Sequence, residues 1–237
     1  MITIYTLTYN EEVMIEFFIQ HYRKKFPNCI INIYDNESTD NTIKIAKSYD
    51  CNIITYNTNN TLSDSVYLNI KNNCWKNATT DWVLICDCDE LLEINQDNLL
   101  DEINNNTTII QTEGFDMINV SDDPTNIVLT DIKHGVRNQL YDKKVLFNKT
   151  KINEINYQPG CHLATPIGGV INSKKIYKLL HYKYINLNYI INRYRLFNSR
   201  LSNENRIKKW GIQYTYEESI IIENFNELKS KSEKIYE

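Results

Sequence analysis

The feature that most constrains the fold of this chain is an alternation of strand-like and helix-like segments through its first 95 residues. Four short runs carry the β-branched and aromatic residues typical of strands: "MITIYTLTY", "CIINIYD", "CNIITYN" and "DWVLICD". Between them, "EEVMIEFFIQHYRKKF", "TIKIAKSY" and "LSDSVYLNIKNNCWKN" have the spacing or the N-cap residues of helices. This alternation predicts an α/β fold with a Rossmann-like, mostly parallel central sheet and helices on both faces.

Polar clusters follow three of these strands, at residues 8–12, 35–40 and 87–90. The carboxyl ends of parallel strands meet at one edge of a sheet, and ligands of such sheets bind beyond that edge. We therefore expect the three clusters to lie close together and to form one site.

The cluster at the end of the fourth strand holds three carboxylates within four residues, in "DWVLICDCDELLEI". On a strand, Asp87 and Asp89 point to the same side, and two close carboxylates repel unless a cation lies between them. Oxygen ligands suit Mg²⁺ or Mn²⁺, which complete their coordination with water and substrate phosphate. The pattern favours a metal-bound diphosphate, although solvated acids capping the next helix have the same spacing. A zinc site from Cys86, Cys88 and Cys161 is a further alternative, with spacing unlike that of zinc fingers.

The second half of the chain changes character. "TTIIQTEGFDMINV", "NQLYDKKVLFNKT" and "KKIYKLLHYKYI" are predicted strands, and "YQPGCHLATPIGGVI" is a loop rich in Gly and Pro. From Leu187 onward the apolar spacing predicts an amphipathic helix. No repeat or low-complexity linker interrupts the sequence, so one domain over residues 1–237 is expected, with segments 1–95, 96–185 and 186–237.

Composition excludes several classes of partner. The net charge of -4 gives no general attraction to nucleic acid. No uninterrupted apolar run approaches the roughly 18 residues of a membrane span. The first residues lack the apolar core of a signal peptide, and six cysteines in such a chain are expected to be reduced thiols. A soluble, cytoplasmic protein is therefore expected.

Three N-terminal motifs, "TYNEE", "YDNESTDNT" and "DWVLICDCDELLEI", resemble in order and spacing the nucleotide-sugar-binding half of GT-A glycosyltransferases of the family 2-like group. The later stretches "EGFDMI", "GVRNQLYDKKVLF", "INEINYQPGCHLATPIG", "LLHYKY" and "RLSNEN" resemble a subgroup of small soluble enzymes. The resemblance implies a GT-A fold with a nucleotide-sugar half (1–95), an acceptor and catalytic half (96–185) and C-terminal helices (186–237). It also implies metal-dependent, inverting transfer of a hexosyl or N-acetylhexosaminyl group from a UDP-sugar to a glycan or other hydroxyl acceptor, as in polysaccharide biosynthesis.

The resemblance assigns site residues by position in these motifs. Thr8, Tyr9 and Asn10 would line the base and ribose, Asp35 would bind the uracil, and Lys71 would reach the nucleotide. Asp87 and Asp89 match the D-x-D motif, with Asp89 as metal ligand, Asp87 near the ribose or the metal, and His181 as a third ligand to Mn²⁺ or Mg²⁺. Lys183, two residues after His181, would add positive charge at the diphosphate.

Each assignment has a structural alternative. Asp35 resembles an acid at a helix N-terminus, Lys71 an exposed lysine on a helix, and His181 a structural histidine at a strand end. An inverting enzyme also needs a base at the acceptor hydroxyl. The candidates are Glu154, His162 and Asp116, of which Glu154 also fits a surface acid and His162 a loop residue.

Two other functions fit parts of the pattern. Haloacid-dehalogenase-type phosphatases also use a D-x-D at a strand end, with the first Asp as nucleophile. Their motif lies close to the N-terminus, whereas three strand–helix units precede Asp87 here. A non-catalytic sugar-binding module on the same fold is the third possibility.

Overall fold

The computed structural model describes residues 1–121 and 128–236 and has the α/β architecture predicted above. The strands are β1 (Ile2–Thr8), β2 (Ile30–Asp35), β3 (Asn52–Thr55), β4 (Trp82–Ile85), β5 (Glu90–Leu92), β6 (Ile109–Ile118), β7 (His134–Arg137), β8 (Leu146–Asn148), β9 (Ile152–Glu154), β10 (Ile167–Gly168), β11 (Asn172–Tyr184) and β12 (Glu233–Lys234). The helices are α1 (Ile15–Lys25), α2 (Thr42–Ser48), α3 (Asp64–Asn73), α4 (Gln96–Asn104), α5 (Leu187–Arg200), α6 (Asn203–Lys208) and α7 (Glu218–Lys231).

One large sheet forms the centre of the described part of the chain, in the order β12-β7-β6-β8-β4-β1-β2-β3. The strands from β4 to β3 are parallel, as strand–helix units require. β8 joins this parallel half to β6 by antiparallel pairing on both of its edges. The parallel strands therefore end at one edge, where the three polar clusters lie.

Burial explains why the central strands are apolar on both faces. All seven residues of β1 and all four of β4 are buried, as expected of strands covered by helices on both sides. Helix α1 packs Ile15, Phe18 and Ile19 against this sheet with no exposed surface. Trp75 and Trp82 are buried in the core, as are Cys86 and Cys88.

Strand β11 joins the two halves of the chain. It runs parallel to β6, where His181 pairs with Asp116, and antiparallel to β5, where His181 pairs with Glu90. This register places His181 between the acidic turn after β4 and the acid on β6. The division into segments 1–95, 96–185 and 186–237 stays a prediction.

Two local predictions differ from the structure. Asp87 and Asp89 lie in a turn between β4 and β5, closed by the Glu90 N–H donating to the Asp87 carbonyl at 3.0 Å, so the same-side argument for a strand does not apply. In "NQLYDKKVLFNKT" only β8 is extended. The side chain of Asn138 accepts from the Leu140 N–H at 3.0 Å and starts a turn instead.

Two elements that were not predicted are α4 and β7, whereas α7 lies in the segment expected to hold C-terminal helices. Across residues 1–121 and 128–236, no helix has the length and apolar character needed to cross a membrane.

Candidate active site

A cavity of about 400 Å³ opens at the carboxyl ends of the parallel strands. Of the residues predicted for the site, eight line it: Thr8, Tyr9, Lys71, Asp87, Asp89, His162, His181 and Lys183. Asn10, Asp35, Asp116 and Glu154 are not among the lining residues. The first and third polar clusters converge on one cavity, whereas no residue of the second cluster, 35–40, lines it.

Asp89, His181 and Asp116 form a chain of buried side chains that leads from the cavity wall, where Asp89 and His181 lie, to Asp116 behind it. His181 Nδ1 donates to Asp116 Oδ1 at 2.6 Å, and His181 Nε2 lies 3.6 Å from Asp89 Oδ2. Burial alone would lower the pKa of His181, but the two carboxylates raise it to about 9. For Asp89, the pKa-raising effect of burial is outweighed by His181 and Arg193, so its pKa lies well below the usual range. The second oxygen of Asp116, Oδ2, accepts a hydrogen bond from the Asn138 side-chain amide at 2.7 Å.

Tyr141 fixes the His181 ring from above. The two rings are stacked with centroids 4.0 Å apart at 24°. Gly114 on β6 makes this approach possible, because a Cβ there would lie 2.2 Å from the Cβ of Tyr141. The absence of a side chain at Gly114, in "EGFDMI", therefore lets Tyr141 stack on His181 and hold its ring in place.

Asp87 and Glu90 are held by two buried lysines. Lys71 Nζ lies 2.5 Å from Asp87 Oδ1, while Lys143 Nζ lies 2.5 Å from Glu90 Oε1 and 3.7 Å from Asp87 Oδ2. Burial would raise the pKa of Asp87, but the two lysines lower it below its usual value. Burial raises the pKa of Glu90 despite Lys143. Lys71 is only 5% exposed, so its interpretation as an exposed helix lysine is wrong.

Glu11, from the motif "TYNEE", forms a buried bidentate pair with Arg193 of α5. The two N···O distances are 2.8 and 2.6 Å, and Arg193 Nη2 also lies 3.6 Å from Asp89 Oδ2. Burial raises the pKa of Glu11 to about 7, although the arginine opposes the shift. Helix α5 thus reaches the acidic cluster from the C-terminal segment.

Acidic and basic side chains around the cavity balance in number. Its wall contains five carboxylates and five lysines or arginines: Glu11, Asp64, Asp87, Asp89 and Glu90, with Lys71, Lys143, Lys183, Arg193 and Lys209. The cavity is therefore not a strongly negative site that would attract a bare cation from solution.

Asp35 and Asn10 stabilise the loop between β2 and α2. Asp35 is 3% exposed and accepts from the Ser38 N–H at 3.0 Å and the Ser38 hydroxyl at 2.5 Å. Asn10 Oδ1 accepts from the Thr39 N–H at 2.8 Å. Asp35 therefore stabilises the loop and does not cap α2, whose Thr42 N–H donates instead to Asp40 Oδ1 at 2.9 Å. The predicted contact of Asp35 with a base stays a prediction.

The three candidate bases have different locations. Glu154 is 43% exposed in its side chain, pairs with Lys76 at 2.7 Å, and does not reach the cavity. Asp116 is buried with both oxygens engaged. His162 lines the cavity, and its Nδ1 lies 2.8 Å from the Leu140 carbonyl, which makes Nδ1 the donor and leaves Nε2 as an acceptor. Desolvation and Lys143 lower the pKa of His162 to about 4.

Trp210 and Tyr214 also line the cavity, and Tyr214 packs edge-on against Tyr194 with ring centroids 5.3 Å apart. Lys183 extends over the rings of Tyr184 and Tyr194, at 5.3 and 5.1 Å from their centroids.

Within the described residues, no three His, Cys, Asp or Glu side chains are arranged to hold a metal ion. This result applies to the zinc alternative of Cys86, Cys88 and Cys161, and equally to the predicted set of Asp87, Asp89 and His181. Asp89 Oδ2 and His181 Nε2 nevertheless lie 3.6 Å apart, a separation that one cation with bonds of about 2.1 Å would span once Nε2 gives up its proton. Their chemistry fits a divalent ion such as Mn²⁺ that takes its other ligands from water and a phosphate. The carboxylate on Nδ1 orients the ring as in other metal-binding histidines.

Tyr141, Lys143 and Arg193 are among the cavity residues that the sequence did not reveal. Lys143 and Lys144 are adjacent, and nothing in the sequence marks one as buried beside an acid. A helical arginine in "NRYRLF" likewise resembles a surface residue. Only the acidic partners of these cations had a recognisable motif.

Comparison with known proteins identifies the family. The model of "Glycosyl transferase family 2" matches residues 3–164, which is more than half of the chain. The fold and this match together define a glycosyltransferase, and the chain belongs to glycosyl transferase family 2. No curated protein matches it in sequence.

Solved structures with the same fold include Staphylococcus aureus TarS, with 16% identity and a TM-score of 0.50 over 82% of this chain and 39% of that chain. The TarS fragment 1–349 in complex with UDP has 16% identity and a TM-score of 0.48, over 84% of this chain and 64% of that chain. Mannosyltransferase PcManGT from Pyrobaculum calidifontis, in complex with GDP-Man and Mn²⁺, has 19% identity and a TM-score of 0.35, over 51% of this chain and 36% of that chain. The chain thus spans less than two thirds of each of these chains. At 16% identity, the likeness to TarS shows the fold alone.

Proposed function

We propose that this protein transfers a sugar from a nucleoside diphosphate sugar, with UDP as the expected nucleotide, to a hydroxyl acceptor in a metal-assisted reaction. The observation that carries the proposal is the Asp89–His181–Asp116 array in a family 2 cavity. A carboxylate and an oriented imidazole beside several buried cations fit a metal-bound diphosphate.

Charge balance explains why metal and donor would bind together. The cavity walls carry equal numbers of carboxylates and Lys or Arg side chains, so a diphosphate entering alone would add uncompensated negative charge. Asp89 and His181 would hold a divalent ion, which would offset that charge and would supply Lewis-acid stabilisation of the departing diphosphate. The metal and the donor are therefore expected to bind cooperatively.

The chain's own residues would orient the donor. Lys71 and Lys143 fix Asp87 in one position, from which it would contact the ribose or the metal. Lys183 adds positive charge on the diphosphate side. Thr8 and Tyr9 border the base, and Asn10 and Asp35 shape the neighbouring loop.

On the acceptor side, His162 is the candidate base that reaches the cavity. Its Nε2 is an available acceptor, and its low pKa keeps the ring neutral at physiological pH. Asp116 acts instead on His181, as a positioning residue. Trp210 and Tyr214 offer aromatic faces suited to a sugar ring. Transfer by direct attack of the acceptor would invert the anomeric centre.

Incubation with Mn²⁺, a panel of nucleoside diphosphate sugars and simple hydroxyl acceptors tests the proposal. Release of UDP from a UDP-sugar is expected, with the Asp89→Asn protein as the inactive control. Release of phosphate from simple esters would support the phosphohydrolase alternative, against which the family assignment argues. Tight donor binding without any turnover would support the non-catalytic module and overturn the transferase.

A further inference from the structure

Arg200, the last residue of α5, lies against the face of Tyr9 behind the cavity wall. Its guanidinium carbon is 3.1 Å from the centre of the Tyr9 ring, well within the distance of a cation–π contact. Arg200 Nε donates to Asn60 Oδ1 at 3.1 Å, and the Tyr9 hydroxyl donates to the same oxygen at 3.3 Å. The Tyr9 ring is thus fixed on one face and at its hydroxyl.

Backbone hydrogen bonds attach this end of α5 to the segment that follows β3. The Leu62 N–H donates to the Arg200 carbonyl at 2.6 Å, and the Ser202 N–H donates to the Leu62 carbonyl at 3.0 Å. Tyr9, Asn60 and Arg200 therefore join three distant parts of the chain into one support.

The fold alone does not explain an arginine at this place. Arg200 is 4% exposed, and its two terminal nitrogens are buried without a hydrogen-bond partner among the described residues. A buried charged group with unsatisfied N–H groups destabilises a fold, and an apolar residue of similar length is neutral or stabilising there. Within the described part of the chain no stabilising partner satisfies the two terminal nitrogens, and the contact of the guanidinium with Tyr9, a cavity residue, points to a role in the site.

We propose that Arg200 is a positioning residue for the base of the donor nucleotide. It holds the Tyr9 ring in a fixed plane so that the opposite face of the ring stacks on the base. Tyr9 lines the cavity together with Tyr56 and Tyr67, whereas Arg200 itself is not part of the lining. This inference rests on the proposed function, because it assigns the base end of the same donor site.

The geometry of α5 agrees with this placement. Arg193 lies seven residues before Arg200, about 10.5 Å along the helix, and contacts the acidic cluster through Glu11 and Asp89. One helix of the C-terminal segment therefore contacts the acidic cluster through Arg193 and supports Tyr9 through Arg200.

The test compares the binding of UDP and of inorganic pyrophosphate, each with Mn²⁺, by titration calorimetry. Loss of one preorganised side chain weakens binding by about two- to tenfold. Arg200→Met is expected to weaken the binding of UDP by that factor and to leave the affinity for pyrophosphate unchanged. The thermal midpoint of unfolding should stay the same or rise. Arg200→Lys, which loses the planar stack, is expected to show the same selective loss. Arg195→Met is the matched control, since Arg195 is on the same helix, 65% exposed in its side chain and paired with Glu218.

A second variant tests whether Arg200 acts through Tyr9. Tyr9→Leu removes the stacking surface and is expected to weaken the binding of UDP by about five- to 150-fold. In that background Arg200→Met should have no further effect. Three results would overturn the inference. They are equal losses of affinity for UDP and pyrophosphate, independent effects of the two substitutions on UDP affinity, and a large fall in the thermal midpoint of Arg200→Met. A wild-type protein that binds neither ligand would instead overturn the proposed function.

Discussion

Replacing Lys143 with methionine is expected to destabilise the protein strongly at neutral pH. Its ammonium is 2.5 Å from Glu90 and 3.7 Å from Asp87, and the side chains of Lys143 and Glu90 are each 2% exposed. Removing one member of such a buried pair leaves an uncompensated charge, at a cost of about 3–5 kcal/mol. Urea unfolding at pH 7 measures the difference.

The double variant Lys143→Met/Glu90→Gln separates loss of charge from loss of packing. Without either charge, the free energy of unfolding should return to within about 1–2 kcal/mol of the wild type, because an apolar replacement of a whole buried pair is often neutral. The matched control is Lys76→Met, which breaks an ion pair whose side chains are 36% and 43% exposed. Exposed pairs contribute about 0–1 kcal/mol.

The decrease in the free energy of unfolding caused by Lys143→Met should also depend on pH. Burial already raises the pKa of Glu90, and removal of the lysine raises it further. The folded state then keeps a proton that the unfolded state releases near pH 4.3, so the free energy of unfolding falls as pH rises above that value. The defect should therefore shrink towards pH 4. A loss at pH 7 no larger than that of Lys76→Met would refute the reasoning.

Two further predictions concern catalysis. Asp116→Asn keeps the shape of the side chain but removes the carboxylate that orients His181, so the Mn²⁺ concentration for half-maximal turnover should rise about 10- to 100-fold; an unchanged metal requirement in a folded variant would contradict this role. His162→Gln should lower kcat with a UDP-sugar by about 10²- to 10⁴-fold, whereas Glu154→Gln, distant from the cavity, should leave kcat unchanged. The reverse pattern would transfer the role of base to Glu154.

The parallel half of the sheet and the position of its site could be predicted because both depend on local pattern. Strand ends carry their polar residues in sequence, so Thr8 and Asp87 were recognisable without tertiary information. The turn between β4 and β5 could not be predicted, because a D-x-D sequence is compatible both with the end of a strand and with a turn.

The pairing of His181 with Asp116 could not be predicted, because it depends on the register of β11 against β6. Register between strands 65 residues apart is set by packing, and no local signal encodes it. Lys143, Arg193 and Arg200 were missed for a related reason. Each is a basic residue without a motif, and its burial follows only from the elements that surround it.

The measurement that tests the central claim most directly is the calorimetric affinity for UDP with Mn²⁺ and with a chelator, for the wild type and for Asp89→Asn. The Asn variant is preferable to alanine because Asp89 is buried between His181 and Arg193. We expect Mn²⁺ to strengthen UDP binding to the wild type, and the variant to lose that gain while its thermal midpoint shows a folded protein. UDP binding that is independent of the metal, or a full Mn²⁺ effect in Asp89→Asn, would contradict a cation held by Asp89 and His181.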